Sequence, residues 1–199
     1  MRVKASPILA VSCALFLIGA AGGHVARLHH IPYAESDRVI EQIMAVTAGT
    51  SNPMRVNQLR HSGLRYAGPG DLVVRDNPDT LTSFAPYDLA AGDLCFTAPV
   101  PEQAIYWSVS VYARNTDNVF VLDNHATGDD QVSVLISRAA RRTQAPARHT
   151  AVSPSTRSVI IVRLVVPDRH NDEQVRVLSR ALEAARLDPA DAPRSRCAR

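Results

Sequence analysis

The fold is decided by a strand and the polar turn after it, which together read YWSVSVYARNTDN over residues 106–118. Up to residue 113 the apolar side chains alternate with hydroxyl-bearing ones: Trp107, Val109, Val111 and Ala113 against Tyr106, Ser108, Ser110 and Tyr112. A period of two is typical of a β-strand with one buried face. This stretch therefore predicts a sheet that covers an apolar core.

Working outward, other short stretches bounded by Gly, Pro, Asn or Asp also predict strands. They are residues 72–75, 82–88, 94–98, 119–123 and 132–137. Residues 157–166 are almost continuously apolar, which favours a strand covered on both faces. Residues 138–156 show no periodicity and predict a long surface loop.

Two helices are predicted beside these strands. Pro32 is expected to interrupt any helix that comes before it, so that a short amphipathic helix begins at an N-cap, Ser36. Its apolar stripe would be Val39, Ile43 and Val46.

A second helix is expected near the C-terminus, capped by Asn171 or Asp172 and ended after Leu187 by Pro189. Many short strands with two helices predict an α+β, mainly β domain. It would be a single antiparallel β-sandwich or a partly open barrel with flanking helices.

The first residues indicate the compartment. Arg2 and Lys4 precede an uncharged run, residues 5–23, whose 19 residues span about 28 Å as a helix. We predict one transmembrane helix in a bacterial inner membrane, with the domain in the periplasm because basic residues stay in the cytoplasm. The alternative is a signal peptide cut after the small residues 19–21, which secretes the domain to the periplasm.

We accordingly divide the chain into an anchor or signal peptide (1–30), a β-rich exported domain (31–190) and a disordered basic tail (191–199). The formal net charge is +3, but the arginines are scattered among acidic residues. Nucleic-acid binding needs a basic face, so we expect no nucleic-acid partner.

Three cysteines, Cys13, Cys95 and Cys197, do not form an obvious framework. Cys13 lies in the apolar run. We favour a buried thiol at Cys95, and a Cys95 to Cys197 disulfide in an oxidising compartment stays open as the alternative.

Two turns rich in Asn and Asp give the candidate ligand site. Together with nearby aromatic side chains they comprise Asp76, Asn77, Asp79, Thr80, Trp107, Tyr112, Arg114, Asn115 and Asp117. Such side chains commonly cap their own turns, and that structural use explains most of them. If both turns converged at one end of the sheet, they would form a polar pocket with an aromatic wall for a small polar ligand.

No pattern in the sequence favours catalysis. The seven histidines are scattered, no His or Cys pair has the spacing of a zinc site, and no nucleophile or phosphate-loop motif occurs. We expect no metal and no cofactor, and we lean against an enzyme.

The phrase Asn77-Pro78-Asp79-Thr80-Leu81, an apolar strand, and then the strand and turn of residues 106–118 resemble the bacterial "domain of unknown function 1254" family. The resemblance runs from about residue 57 to residue 187. It implies no agreed reaction. Longer members carry a second β-rich domain, the "domain of unknown function 1214", after this one, so this chain resembles a short, membrane-anchored, single-domain member.

From that resemblance we expect a separately encoded second-domain protein as a partner. The predicted function is a membrane-tethered, non-catalytic envelope module that binds this partner. The alternative is a small polar-ligand binding protein, or a degenerate enzyme, that uses the two turns.

Overall fold

The structure is a computed structural model that describes residues 7–64, 77–102, 104–138, 148–192, 195 and 197. Over these residues the elements in chain order are α1 (Pro7–Thr47), β1 (Arg60–Ser62), β2 (Thr80–Asp88), β3 (Leu94–Pro99), β4 (Tyr106–Tyr112), β5 (Asn118–Asp123), β6 (Gln131–Arg138), β7 (His149–Ser153), β8 (Arg157–Val165), α2 (Asp172–Glu183) and β9 (Arg186–Pro189).

The strands form two sheets that enclose one apolar core. The larger sheet has the order β1-β2-β8-β4-β5 and the smaller one β7-β6-β3-β9. All pairs are antiparallel except β6 and β7, which are parallel. The predicted α+β, mainly β sandwich is confirmed, and the open barrel is not found.

The strand and the buried apolar face predicted for β4 are confirmed, but burial does not alternate along the strand. Trp107, Val109 and Val111 are fully buried and belong to the core cluster, together with side chains from both sheets. Ser108 and Ser110 on the opposite face are also buried. Neighbouring strands on both sides of β4 account for this, since β8 and β5 pair with it.

The prediction that residues 157–166 are covered on both faces is wrong. Ile160, Val162 and Leu164 are fully buried, whereas Val159 and Ile161 are half-buried on the outer face. In β8 the alternation is hidden in the sequence because apolar residues occupy both faces.

Three short strands were not predicted. β1, β7 and β9 have three to five residues each, too few to show a period of two. β7 lies inside the predicted loop 138–156, of which residues 139–147 lie outside the described part. The predicted strand 72–75 also lies outside the described residues.

α1 does not stop at Pro32, contrary to the prediction. The helix runs unbroken from Pro7 to Thr47 with Pro32 inside it, so residue 30 is not an element boundary. Proline removes one backbone hydrogen bond from the helix interior, but it does not end this helix. The helix is long and apolar enough to cross a membrane, a test that a signal sequence also passes.

The predicted stripe of α1 is only partly used. Ile43 is half-buried, while Val39 and Val46 are exposed. The helix ends at Thr47, whose hydroxyl donates to the Ile43 carbonyl and accepts from the Met54 amide. This double contact ties the helix end to the connector that follows.

The connector, residues 48–59, is fastened to the end of β2. The Asn57 amide donates to the Pro86 carbonyl, and the Asn57 side chain bonds both backbone groups of Asp88. Asn57 has φ 60°, a left-handed conformation that asparagine adopts more readily than most residues. The connector therefore holds the C-terminal end of α1 beside one end of the larger sheet.

α2 begins as predicted, since the Asn171 side chain accepts from the Gln174 amide. It packs on β2, β3 and β8 and buries Leu178 and Leu182 in the core. It ends at Glu183, four residues before the predicted end, because Leu187 enters β9 and pairs with Phe96.

Cys95 and Cys197 form a disulfide, which overturns the preference for a buried free thiol. The bond lies on the outer side of the smaller sheet, where both cysteines pack against Leu135. Ser195 and Cys197 are buried, so these two positions of the predicted disordered tail are part of the domain.

The disulfide closes a long segment, since the two cysteines are 102 residues apart. We expect Cys197→Ser to lower the free energy of unfolding by about 2–5 kcal/mol, because the bond restricts the unfolded chain. Thermal melts with and without a reducing agent, together with thiol counting, measure this. Cys13→Ser is the matched control, and an equal effect of both variants would contradict the prediction.

Candidate functional site

The first predicted turn is used to start β2. The Asp79 amide donates to the Asn77 side chain, and the Thr80 amide donates to the Asn77 carbonyl. The Asp79 carboxylate accepts from Arg169 at 3.3 Å, and Thr80 is buried as the first residue of the strand. Asp76 lies outside the described residues.

The second predicted turn is also closed by its own side chains. The Asn115 amide donates to the Asp117 carboxylate at 2.6 Å. The Thr116 amide donates to the Ala113 carbonyl, and Thr116 adopts φ 72°, an uncommon value for a β-branched residue. Asn115 and Asp117 therefore serve the geometry of this turn.

The two turns lie at opposite ends of the larger sheet. β2 and β4 both pair antiparallel with β8, and Thr80 and Tyr106 are both aligned with Val165. The first turn therefore precedes β2 at that end, whereas the second follows β4 about 20 Å away, the length of a seven-residue strand. The pocket expected from their convergence is not found.

The aromatic residues do not join the turns either. Trp107 is 1% exposed and belongs to the core. Tyr112 is half-buried, and its carbonyl accepts from the Tyr87 hydroxyl. Among the predicted site residues that the structure describes, Arg114 lines a cleft large enough for a small molecule. Whether any of the others binds a ligand stays a prediction.

The cleft lies between α1 and the end of the sandwich that carries the second turn. Its volume is about 730 Å³, within the range of small-molecule sites. One wall is a single face of α1: Tyr33, Asp37, Ile40, Glu41 and Met44. The opposite wall comes from the end of β2, from Arg114 and from residues 154–158, which are the turn between β7 and β8 and the first two residues of β8.

One ion pair bridges the two walls. The Arg114 guanidinium donates to both carboxylate oxygens of Asp37 and lies 5.8 Å from the centre of the Tyr33 ring. Arginine suits a carboxylate because its planar group makes two parallel bonds. This contact and the connector close the cleft at its two ends.

A chain of hydrogen bonds, which becomes buried at Tyr87, fixes the backbone behind Arg114. Its amide donates to the Ser155 hydroxyl, and the Ser155 amide and carbonyl both bond the Ser153 hydroxyl. Ser153 in turn lies 2.8 Å from the Tyr87 hydroxyl. Burial raises the pKa of Tyr87, so this hydroxyl stays neutral and able to donate.

Asp88 lines the cleft on the side of the sandwich. Its carboxylate accepts from the Ala90 amide at 2.8 Å and from Arg157 at 2.6 Å. Burial alone raises the pKa of Asp88, but the Ala90 amide and the Arg157 guanidinium outweigh it and hold the pKa below its usual value. The carboxylate is therefore ionised at neutral pH.

Sequence reasoning missed most of this cleft. Tyr33, Asp37 and Glu41 were assigned to no site, because a break was expected at Pro32. Their spacing of four residues on an unbroken helix would have placed them on one face. In the part of the chain that the structure describes, no cluster of His, Cys, Asp and Glu has the arrangement of a metal site.

Comparison with known families gives the identity of the domain. A model described as "Protein of unknown function (DUF1254)" matches residues 56–186. The chain belongs to this family. The match starts in the connector and ends in β9, so it covers nearly the whole sandwich of this DUF1254 domain but not α1.

The same fold occurs in a crystal structure of the VPA0106 protein from Vibrio parahaemolyticus. The TM-score is 0.59 at 15% identity, and the match covers 81% of this chain and 37% of that chain. A putative uncharacterized protein from Burkholderia cenocepacia has a TM-score of 0.41 at 16% identity, with 56% of this chain and 32% of that chain covered. No curated protein matches.

The bridge between α1 and the sandwich can be tested through the Asp37 carboxylate. We expect Asp37→Asn to widen the distance distribution between spin labels at positions 39 and 150 in a Cys13→Ser background, because the ion pair is lost. High salt should widen it in the parent chain as well, since the pair is exposed.

Glu35→Gln is the control for Asp37→Asn, because Glu35 pairs only with Arg38 on its own helix. Exchanging the partners, Asp37→Arg with Arg114→Asp, should narrow the distribution again. A distribution unchanged by Asp37→Asn would show that the ion pair does not hold α1.

Asp88 should make the stability of the domain depend on pH. Its pKa is lower in the folded chain, so its stabilisation is present above the unfolded pKa, about 3.9, and is lost as the pH falls through the folded pKa. Asp88→Asn should cost about 1 kcal/mol at pH 7, and the gap to the parent chain should shrink below about pH 4.

Urea unfolding of both chains between pH 3 and pH 7 measures the gap. Asp130→Asn is the control, since the Asp130 side chain is exposed and bonds none of the residues that the structure describes. A gap that stays constant over this range would contradict the prediction.

Proposed function

We propose that the chain is a membrane-tethered, non-catalytic module of the bacterial envelope that binds a partner domain on the outer face of its larger sheet. α1 is the tether. The sandwich lies on the periplasmic side of the inner membrane, and the partner is a protein that carries a second β-rich domain.

The tether is supported by the exposure of α1. The apolar window of this helix is not buried anywhere in the rest of the structure, although apolar side chains such as Phe16 and Ile18 are costly to leave in water. A lipid environment removes that cost. Arg2 and Lys4 favour the orientation with the N-terminus in the cytoplasm.

The disulfide supports the same compartment. Disulfides persist in oxidising environments such as the periplasm and are rare in the cytosol. Cys95 and Cys197 are joined, while Cys13 within the apolar part of α1 is free. This is the pattern expected of a chain whose folded domain is exported.

The observation that carries the docking proposal is an apolar row on the outer face of the larger sheet, made of Phe84, Ile161 and Val121 and interrupted by the buried Ser110. Register places Phe84 beside Ile161, Ile161 beside Ser110, and Ser110 beside Val121. Phe84 and Ile161 are half-buried, and Val121 is 50% exposed. The outer face of an antiparallel sheet is usually polar, so an apolar row there favours a covering partner.

The choice of partner rests on the longer relatives. The match covers only 37% of the Vibrio parahaemolyticus chain, so most of that protein lies outside the shared sandwich. The family resemblance implies a second β-rich domain in longer members. An apolar sheet face is a suitable surface for such a domain, because two sheets pack face to face through interdigitated side chains.

Docking can be tested with a matched pair of glutamate variants. Val121 on the outer face and Val152 on β7 are both 50% exposed, so both substitutions should be tolerated by the fold. We expect Val121→Glu to reduce recovery of the partner from solubilised native membranes by at least about tenfold, because an unpaired charge is costly in an interface. Val152→Glu should leave it unchanged.

A photocrosslinking residue at position 121, and separately at position 152, identifies what lies on each surface. Crosslinks from position 121 alone to a protein with a second β-rich domain support the proposal. Crosslinks to a second copy of this chain, or the same products from both positions, would overturn it.

A further inference from the structure

The cleft between α1 and the sandwich contains polar groups that the fold leaves unused. The Glu41 carboxylate and the Tyr33 hydroxyl make no hydrogen bond with any described residue. Arg157 uses only its Nε atom, on Asp88, and its side chain is 75% exposed. Both terminal nitrogens of this guanidinium are therefore open to another acceptor.

These groups carry opposite charges on opposite walls. Glu41 lies one helical turn after Asp37 on the α1 wall, and Arg157 lies on the sandwich wall. Asp37 is paired with Arg114, and Asp88 accepts from the Nε atom of Arg157. A ligand would thus meet one uncompensated carboxylate and the unused donors of one guanidinium.

The rest of the lining combines apolar side chains with the hydroxyl-bearing residues Ser155, Thr156 and Ser158. Ile40, Met44, Val56 and Pro86 lie between the charged groups and the connector. Such a surface takes a hydrocarbon side chain, and burying it stabilises the complex by about 25 cal/mol per Å² of apolar area.

We infer that the cleft binds a small zwitterion of the amino-acid type with an apolar side chain. The ligand ammonium pairs with Glu41, its carboxylate accepts from the terminal nitrogens of Arg157, and its side chain lies on the apolar lining. A molecule with only one charge satisfies only one wall and leaves the other group without a partner, which costs affinity.

A free molecule fits the position of the cleft better than a lipid headgroup. Tyr33 is ten residues beyond the uncharged run that ends at residue 23, so it lies about 15 Å along the helix from the hydrocarbon core. The headgroup layer is only about 5–8 Å thick on each side. Only the exclusion of a lipid headgroup rests on the proposed membrane tether; the other steps of the inference do not.

The test uses the full chain in detergent and three probes that differ only in charge. They are L-leucine, 4-methylpentanoate, which lacks the amine, and 3-methylbutylamine, which lacks the carboxylate. By isothermal titration calorimetry we expect leucine to bind with a dissociation constant of about 1 mM or lower, and each analogue at least about tenfold more weakly.

Glu41→Gln should weaken leucine binding at least about tenfold while leaving the affinity for 4-methylpentanoate unchanged. Glu35→Gln on the same helix, outside the cleft, is the matched control and should bind leucine as the parent chain does. Melting temperatures of both variants exclude a general loss of folding.

Three results would overturn the inference. The first is that no leucine binds at about 20 mM, well above the expected dissociation constant. The others are that leucine and 4-methylpentanoate bind equally, or that Glu41→Gln and Glu35→Gln change the affinity for leucine equally. Partner docking would be untouched by any of these, because the apolar row and the ligand-binding groups share no residue.

Discussion

Strand β8 is hydrogen-bonded on both sides, to β2 and to β4, while Ile160, Val162 and Leu164 fill the core beneath it. The chain reaches this central position only after seven other strands of the two sheets, β1 to β7. Without β8 the larger sheet would separate into two pairs, β1 with β2 and β4 with β5. The packing of one late strand therefore determines which ends of the earlier strands meet.

That constraint accounts for the location of the cleft. Since β2 and β4 both run antiparallel to β8, they run parallel to each other, and both of their C-terminal ends lie where β8 begins. Asp88, Arg114 and Arg157 are gathered at this end from three separate parts of the sequence. The turn containing Asn77 and Asp79 lies at the other end for the same reason.

Elements with a strong local signal could be predicted from the sequence. The alternation of residues 106–113 identified β4 and its buried face, and Asn171 identified the start of α2. β7 and β9 could not be predicted, because so few residues show no period and their formation depends on pairing with β6 and β3. Most of the cleft could not be predicted either, because the ion pair that bridges it joins Asp37 and Arg114, which are 77 residues apart in the sequence.

The unbroken course of α1 through Pro32 has a mechanical consequence. A helix of 41 residues is about 60 Å long. Transmembrane helices adopt a range of tilts, about 20° on average. If the apolar end of α1 is embedded, a change in its tilt of about 10° moves the opposite end by about 10 Å over this length. Because the connector holds that end of α1 beside the larger sheet, the helix would carry the sandwich with it and act as a lever that converts a change in the bilayer into a change in the position of the docking surface.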